Sequence, residues 1–97
     1  MQFLLIAYDG TDSEALNRRM KVRGEHLEKI DILKNIGECL AGGAILDDRG
    51  KMIGSMIVYE FPDRKALEEK LKDEPYYTQG VWQKVDIQPF RLAIIKK

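Results

Sequence analysis

The sequence predicts an α+β domain in which two helices cover one face of a four-stranded antiparallel sheet. Three observations lead there. Short apolar runs with strand character open, divide and close the chain, two segments of helical spacing lie between them, and a polar turn at 47–51 joins the middle pair of strands directly. The resulting order, β-α-β-β-α-β, is the ferredoxin-like arrangement. A chain of 97 residues suffices for one such domain, spanning 1–97, and not for two.

The first strand, 3–8, places Phe3, Leu5 and Ala7 on one side and Leu4, Ile6 and Tyr8 on the other, so both of its faces need cover. Asp9-Gly10 ends it, and Asp12 or Ser13 offers a side-chain oxygen to cap the helical segment after it. Up to about Ile36 there is no proline, and Leu16, Met20, Leu27, Ile30 and Leu33 recur at helical spacing, with Gly37 as the stop signal. Gly24 costs this helix about 1 kcal/mol relative to Ala and gives room for a kink or a close backbone approach. A second strand at 38–46 is weakened by Gly42-Gly43. The third, 52–61, alternates Ser55, Ile57, Tyr59 and Phe61 against Met56, Val58 and Glu60. Asp63 is the expected cap of the second helix, whose buried stripe is Ala66, Leu67 and Leu71. Pro75 ends it, because the ring disfavours the α conformation at Glu74. The connector 76–80 has room for one further helical turn. From 81 to about 95 the chain is extended, with Pro89 confining that strand to an edge or a bulge and Lys96-Lys97 facing solvent. Large apolar side chains remain on the sheet face without helices. A second copy packed sheet to sheet would cover them, so a homodimer is expected.

Composition narrows the function. Sixteen basic residues balance 16 acidic ones, which argues against a nucleic-acid partner or an anionic membrane surface. No run approaches the ~20 apolar residues of a membrane span. The N-terminus lacks a basic segment and a small-residue cleavage site, so no export signal is expected and the default compartment is cytoplasmic. One histidine, His26, and one cysteine, Cys39, exclude an internal disulfide and any metal site built on a His or Cys cluster. No phosphate loop or dinucleotide fingerprint occurs, so no cofactor is expected. Ser55 follows Gly54 inside a strand rather than at a nucleophile elbow. Cys39, with no basic neighbour, is expected to be buried and inert.

The chemistry therefore centres on His26. Arg19, Arg23, His26, Ile30 and Leu33 fall on successive turns of the first helix, so the polar end of an apolar stripe can form the rim of a cleft. Imidazole ordinarily titrates near neutral pH, which suits a general acid or base, and it works best with a carboxylate to orient it. Glu74, at the turn before Pro75, is the leading candidate, and Asp73 beside it competes for the role. The structural alternative is a half-exposed helical histidine packed on Val22 and Ile30, with two solvated acids at a helix end.

A pattern spread over nearly the whole chain resembles the YciI (YCII-related) family of the dimeric α/β-barrel superfamily. It comprises Ala7-Tyr8-x-Gly10, Arg23-Gly-Glu-His26-Leu27, Leu40-Ala41-Gly42, Gly54-Ser55-x-x-Val58-x-Glu60-Phe61, Pro75-Tyr76-x-x-x-Gly80-Val81-Trp82 and Pro89-Phe90. The resemblance implies a ferredoxin-like protomer, a dimer with facing sheets and a cleft holding a His–Asp dyad. His26 matches the family histidine, and Glu74 occupies the place of the family's acid before proline, one methylene longer. Gly43 stands where many members have proline.

Residues and resemblance together lead to a small cytoplasmic enzyme doing acid–base chemistry on a small cyclic or aromatic metabolite. The expected activity is of a lyase, isomerase or dehalogenase kind that needs no cofactor. His26 and Glu74 are the expected catalytic pair, Arg23 and Ser55 the expected ligands of substrate oxygens, and Tyr8 and Trp82 the expected apolar walls. The alternative is a non-catalytic dimeric module that binds a small ligand or assists another protein.

Overall fold

A computed structural model describes residues 1–93. Along the chain run β1 (Gln2–Asp9), α1 (Ala15–Asn35), β2 (Cys39–Leu46), β3 (Met52–Glu60), α2 (Arg64–Leu71), α3 (Pro75–Thr78) and β4 (Trp82–Phe90). The strands form one sheet in the order β2-β3-β1-β4, with every neighbouring pair antiparallel. This is the ferredoxin-like α+β fold, with α3 as the extra turn for which 76–80 had room. The strand expected to reach 95 ends at Phe90, and Lys96 and Lys97 lie outside the described residues.

Side-chain alternation fixes which face of the sheet the helices cover. The β1–β3 register sets Phe3 opposite Tyr59, Leu5 opposite Ile57 and Ala7 opposite Ser55. All six are buried, and the apolar ones share a core with Val22 and Leu33 of α1 and Leu67 and Leu71 of α2. On the opposite face Leu4, Ile6 and Met56 are half-buried and Tyr8 is exposed. β4 lies at an edge, where Pro89 is tolerated because no further strand needs its missing N–H.

The helix ends follow local chemistry. Asp63 caps α2, its carboxylate accepting the Ala66 N–H at 2.8 Å. Gly37 stops α1 at φ +80°, the left-handed geometry that lets the Glu38 N–H reach back to the Leu33 carbonyl at 2.8 Å. The start of α1 departs from expectation: Glu14 holds the cap position without a side-chain cap bond. Asp12 accepts the Glu14 N–H at 3.3 Å but spends its carboxylate mainly on Arg18, at 2.8 Å.

The larger departure is the rotation of α1. Ala15, Arg19, Val22, His26 and Leu33 are its buried residues, whereas Met20 and Leu27 of the expected apolar stripe are exposed. The sheet-facing stripe keeps helical spacing, but two of its positions are polar, so counting apolar residues selects positions one residue further round the helix. Gly24 brings neither a break nor a close contact: α1 runs continuously through it, with open space where a Cβ would stand.

Two substitutions separate glycines that matter from one that does not. A Cβ at Gly54 would collide with the Ala7 carbonyl oxygen and press on Tyr8 Cδ1 at 3.2 Å. Gly54→Ala is expected to lower unfolding free energy by about 1–3 kcal/mol in urea titration. Gly24→Ala is expected to raise it by about 0.5–1 kcal/mol. Alkaline pH tests the core. Burial pushes the Tyr59 phenol well above its ordinary value of 10.0, with Glu74 and Cys39 adding to the effect. Above pH ~10 the unfolded chain therefore loses a proton that the folded chain keeps, so stability falls as pH rises. Tyr59→Phe is expected to make that fall shallower by up to about 1.4 kcal/mol per pH unit, measured as unfolding free energy against pH.

Candidate active site

Arg19 points from α1 into the protein and is 3% exposed. A guanidinium cannot be buried without partners, and two strands supply its hydrogen-bond acceptors. Its Nη1 donates to both carboxylate oxygens of Asp9, at the end of β1, at 3.0 and 3.1 Å. Its Nη2 donates to Ser55 Oγ of β3 at 2.9 Å, and the same oxygen accepts Trp82 Nε1–H at 3.1 Å. Burial pushes the Asp9 carboxyl up from its ordinary value, and the adjacent Arg19 charge opposes that rise.

Two turns along the same helix, His26 Nδ1 lies 2.8 Å from Glu74 Oε1 and 2.9 Å from Oε2. Both residues are buried. Glu74 is held in place by its own backbone. Pro75 enforces an extended conformation at ψ 115°, and the carboxylate turns back to accept the Tyr76 N–H at 2.7 Å, capping α3. A carboxylate only accepts, so the bond assigns a proton to Nδ1, and in the neutral tautomer Nε2 is the nitrogen that can take one. Tyr76 stacks on the imidazole at 3.9 Å and 10°, while Trp82 meets it edge-on at 6.2 Å. The Arg19 guanidinium carbon lies 4.7 Å from the centre of the same Tyr76 ring. Burial pushes the Tyr76 phenol up, with Arg19 and Arg23 opposing.

His26 opens onto a cleft of about 460 Å³ between α1 and the edge strand β2. Arg23, Leu27, Ile30, Leu40 and the Gly42-Gly43 backbone are among its walls. The six expected site residues thus fall into three groups. His26 and Arg23 line the cleft, and Glu74, which is not part of its lining, rather than the exposed Asp73, meets the imidazole. Ser55 and Trp82 lie behind its wall, bonded to each other, with Ser55 also accepting from Arg19 and only 1% exposed. Tyr8 does not join them. It is 43% exposed on the outer sheet face, beside a shallow groove with Asp12 and Lys84, because its parity in β1 matches Leu4 and Ile6.

Residue type alone does not single out Asp9 or Tyr76 for the site, and it marks Arg19 only by its place on the helix. The available signal is the seven-residue spacing of Arg19 from His26, two turns along one face. Cys39 also lines the cleft but is 5% exposed, and burial pushes its thiol up. Among the described residues no group of three or more His, Cys, Asp or Glu could hold a metal ion, and no helix is long and apolar enough to cross a membrane.

The chain is 30% identical to Protein YciI of Escherichia coli O6:H1 and to that of Shigella flexneri, over 94% of its length and 97% of theirs. Among solved structures it is similar to 5-chloro-2-hydroxyhydroquinone dehydrochlorinase from Burkholderia phenoliruptrix, in complex with 2,5-dihydroxybenzoquinone. That likeness has a TM-score of 0.81 at 21% identity and covers 96% of each chain. A dimeric ferredoxin-like protein of unknown function from Jannaschia matches with a TM-score of 0.52 at 11% identity, over 94% of this chain and 98% of the other. At these identities the two structures share the fold. The YCII-related domain matches residues 1–91, and the chain belongs to the YCII-related family.

Proposed function

We propose that the protein is a small cytoplasmic enzyme that uses the His26–Glu74 pair for acid–base chemistry on a small cyclic or aromatic metabolite. The observation that carries this reading is the 2.8 Å contact between Glu74 and Nδ1 of His26, which itself lines an open cleft. Nε2 makes no hydrogen bond to any described residue, so its lone pair is free for a substrate proton. When Nε2 takes that proton, Glu74 stabilises the imidazolium through the Nδ1–H bond, and the same proton can later be returned by Nε2 as a general acid. Returning it elsewhere on the ring gives isomerisation. Expelling a leaving group with the released electron pair gives elimination. Arg23 binds a substrate oxygen, and Tyr76 limits rotation of the imidazole. Ser55, fixed by the Trp82 indole, acts behind the wall by holding Arg19, so both have a supporting role rather than direct contact.

The dehydrochlorinase supports this reading, since a protein of the same fold acts on a hydroxylated ring. The outer face of the sheet supports a homodimer. Leu4, Ile6 and Met56 form an apolar centre there that a second copy would cover.

The activity test begins with 5-chloro-2-hydroxyhydroquinone and related hydroxylated rings. His26→Gln is expected to lower kcat by about 10²–10⁴-fold with an unchanged circular dichroism spectrum. Glu74→Gln, which keeps an oxygen for the Tyr76 N–H, is expected to lower kcat as well. Full turnover by a folded His26→Gln protein would overturn the proposal. For assembly, sedimentation is expected to give a dimer that Ile6→Lys converts to monomer.

A further inference from the structure

The cleft carries a charge imbalance that the acid–base reading does not use. Its lining includes Arg19, Arg23 and Lys34 and no Asp or Glu, although the whole chain has equal numbers of acids and bases. Arg19 is neutralised by Asp9, and its one unbonded nitrogen, Nε, is sealed from solvent and closed to a ligand. Arg23 is different. It is half-buried, yet among the described residues it makes no ion pair and no side-chain hydrogen bond. A guanidinium that has lost part of its water without gaining an acceptor is a binding site awaiting one.

We infer that the cleft takes an organic acid, a small ring bearing a carboxylate, which Arg23 grips beside His26. This inference rests on the cleft being the small-molecule site described above, and it names the class of molecule. Arg23 and His26 are three residues apart on α1, so their side chains are neighbours on one helix face. A carboxylate on Arg23 therefore brings the attached ring within reach of Nε2. The rest of the lining suits a ring, with Leu27, Ile30, Leu40 and Ile57 supplying apolar surface.

The charge balance of proton transfer points the same way. Protonating His26 would set a second positive charge one helical turn from Arg23. A carboxylate bound to Arg23 cancels that repulsion, so the anionic substrate makes His26 a better base. A carboxylate also fits better than a phosphate. The N-terminus of α3 is already occupied by Glu74, and with Arg19 spent on Asp9, Arg23 has, among the described residues, no cation beside it to match the second charge of a phosphate. Lys34 lies eight residues beyond His26 on α1, about 12 Å along the axis, and marks the opposite end of the cleft.

Calorimetric titration at low ionic strength tests this with four probes: benzoate, 2-hydroxybenzoate, benzamide and inorganic phosphate. At least one carboxylate is expected to bind at least 10-fold more tightly than benzamide or phosphate. Arg23→Gln is expected to weaken that binding about 10-fold, Arg23→Lys less, and Lys34→Gln less than Arg23→Gln. Equal binding of benzamide, tighter binding of phosphate, no binding of either carboxylate, or a larger loss in Lys34→Gln would each overturn the inference. His26→Gln separates the two readings. Carboxylate binding retained alongside full turnover sinks the catalytic reading alone, whereas turnover that depends on His26 with no preference for carboxylates sinks this one alone.

Discussion

A guanidinium and an imidazole lie on the sheet-facing side of a single helix, and much of the surrounding structure follows from the need to satisfy them. Arg19 and His26 occupy the stripe that ordinarily carries apolar side chains. Burial of either without partners would cost several kcal/mol, so partners must converge from elsewhere in the chain. Asp9 comes from the end of β1, Ser55 from β3, Trp82 from the start of β4 and Glu74 from the turn before α3. Directional bonds tie α1 directly to β1, to β3 and to the start of α3, and through Ser55 to β4, in addition to apolar packing. The same bonds give the site its rigidity, because no member can rotate without stranding another.

Glu74 shows how a backbone rule becomes a functional geometry. Proline at 75 bars the α conformation from the preceding residue, and the extended backbone brings the Glu74 carboxylate round to cap α3. That cap leaves the carboxylate facing His26, with its oxygens shared between an amide and an imidazole. Tyr76, the residue whose amide is capped, is also the one whose ring lies flat on the histidine. One Glu-Pro-Tyr step therefore orients the base, anchors its acceptor and walls the site.

Much of this is legible in the sequence, for identifiable reasons. Period-two alternation separates Phe3, Leu5 and Ala7 from Leu4, Ile6 and Tyr8, and the polar turn at 47–51 announces the β2–β3 hairpin. A solitary histidine and a Glu-Pro step mark the two halves of a pair 48 residues apart in the chain. The rotation of α1 is not legible, since a stripe containing Arg19 and His26 does not register as apolar. Nor do the roles of Ser55 and Trp82 follow from residue type. A hydroxyl and an indole near a site suit substrate contact as well as they suit each other, and only distances decide between the two. Tyr8 is the case where the available signal points correctly: its parity already puts it on the face away from the helix.

The edge-on contact between His26 and Trp82 joins the only histidine to the only tryptophan in the chain. The molecule therefore carries its own reporters, with no label to attach and no second signal to subtract. A single indole emission and a single set of imidazole resonances originate within one site. Ligand entry, proton uptake by the ring or loss of the Ser55 bond to the indole can each be followed in the unmodified protein, before any substrate has a name.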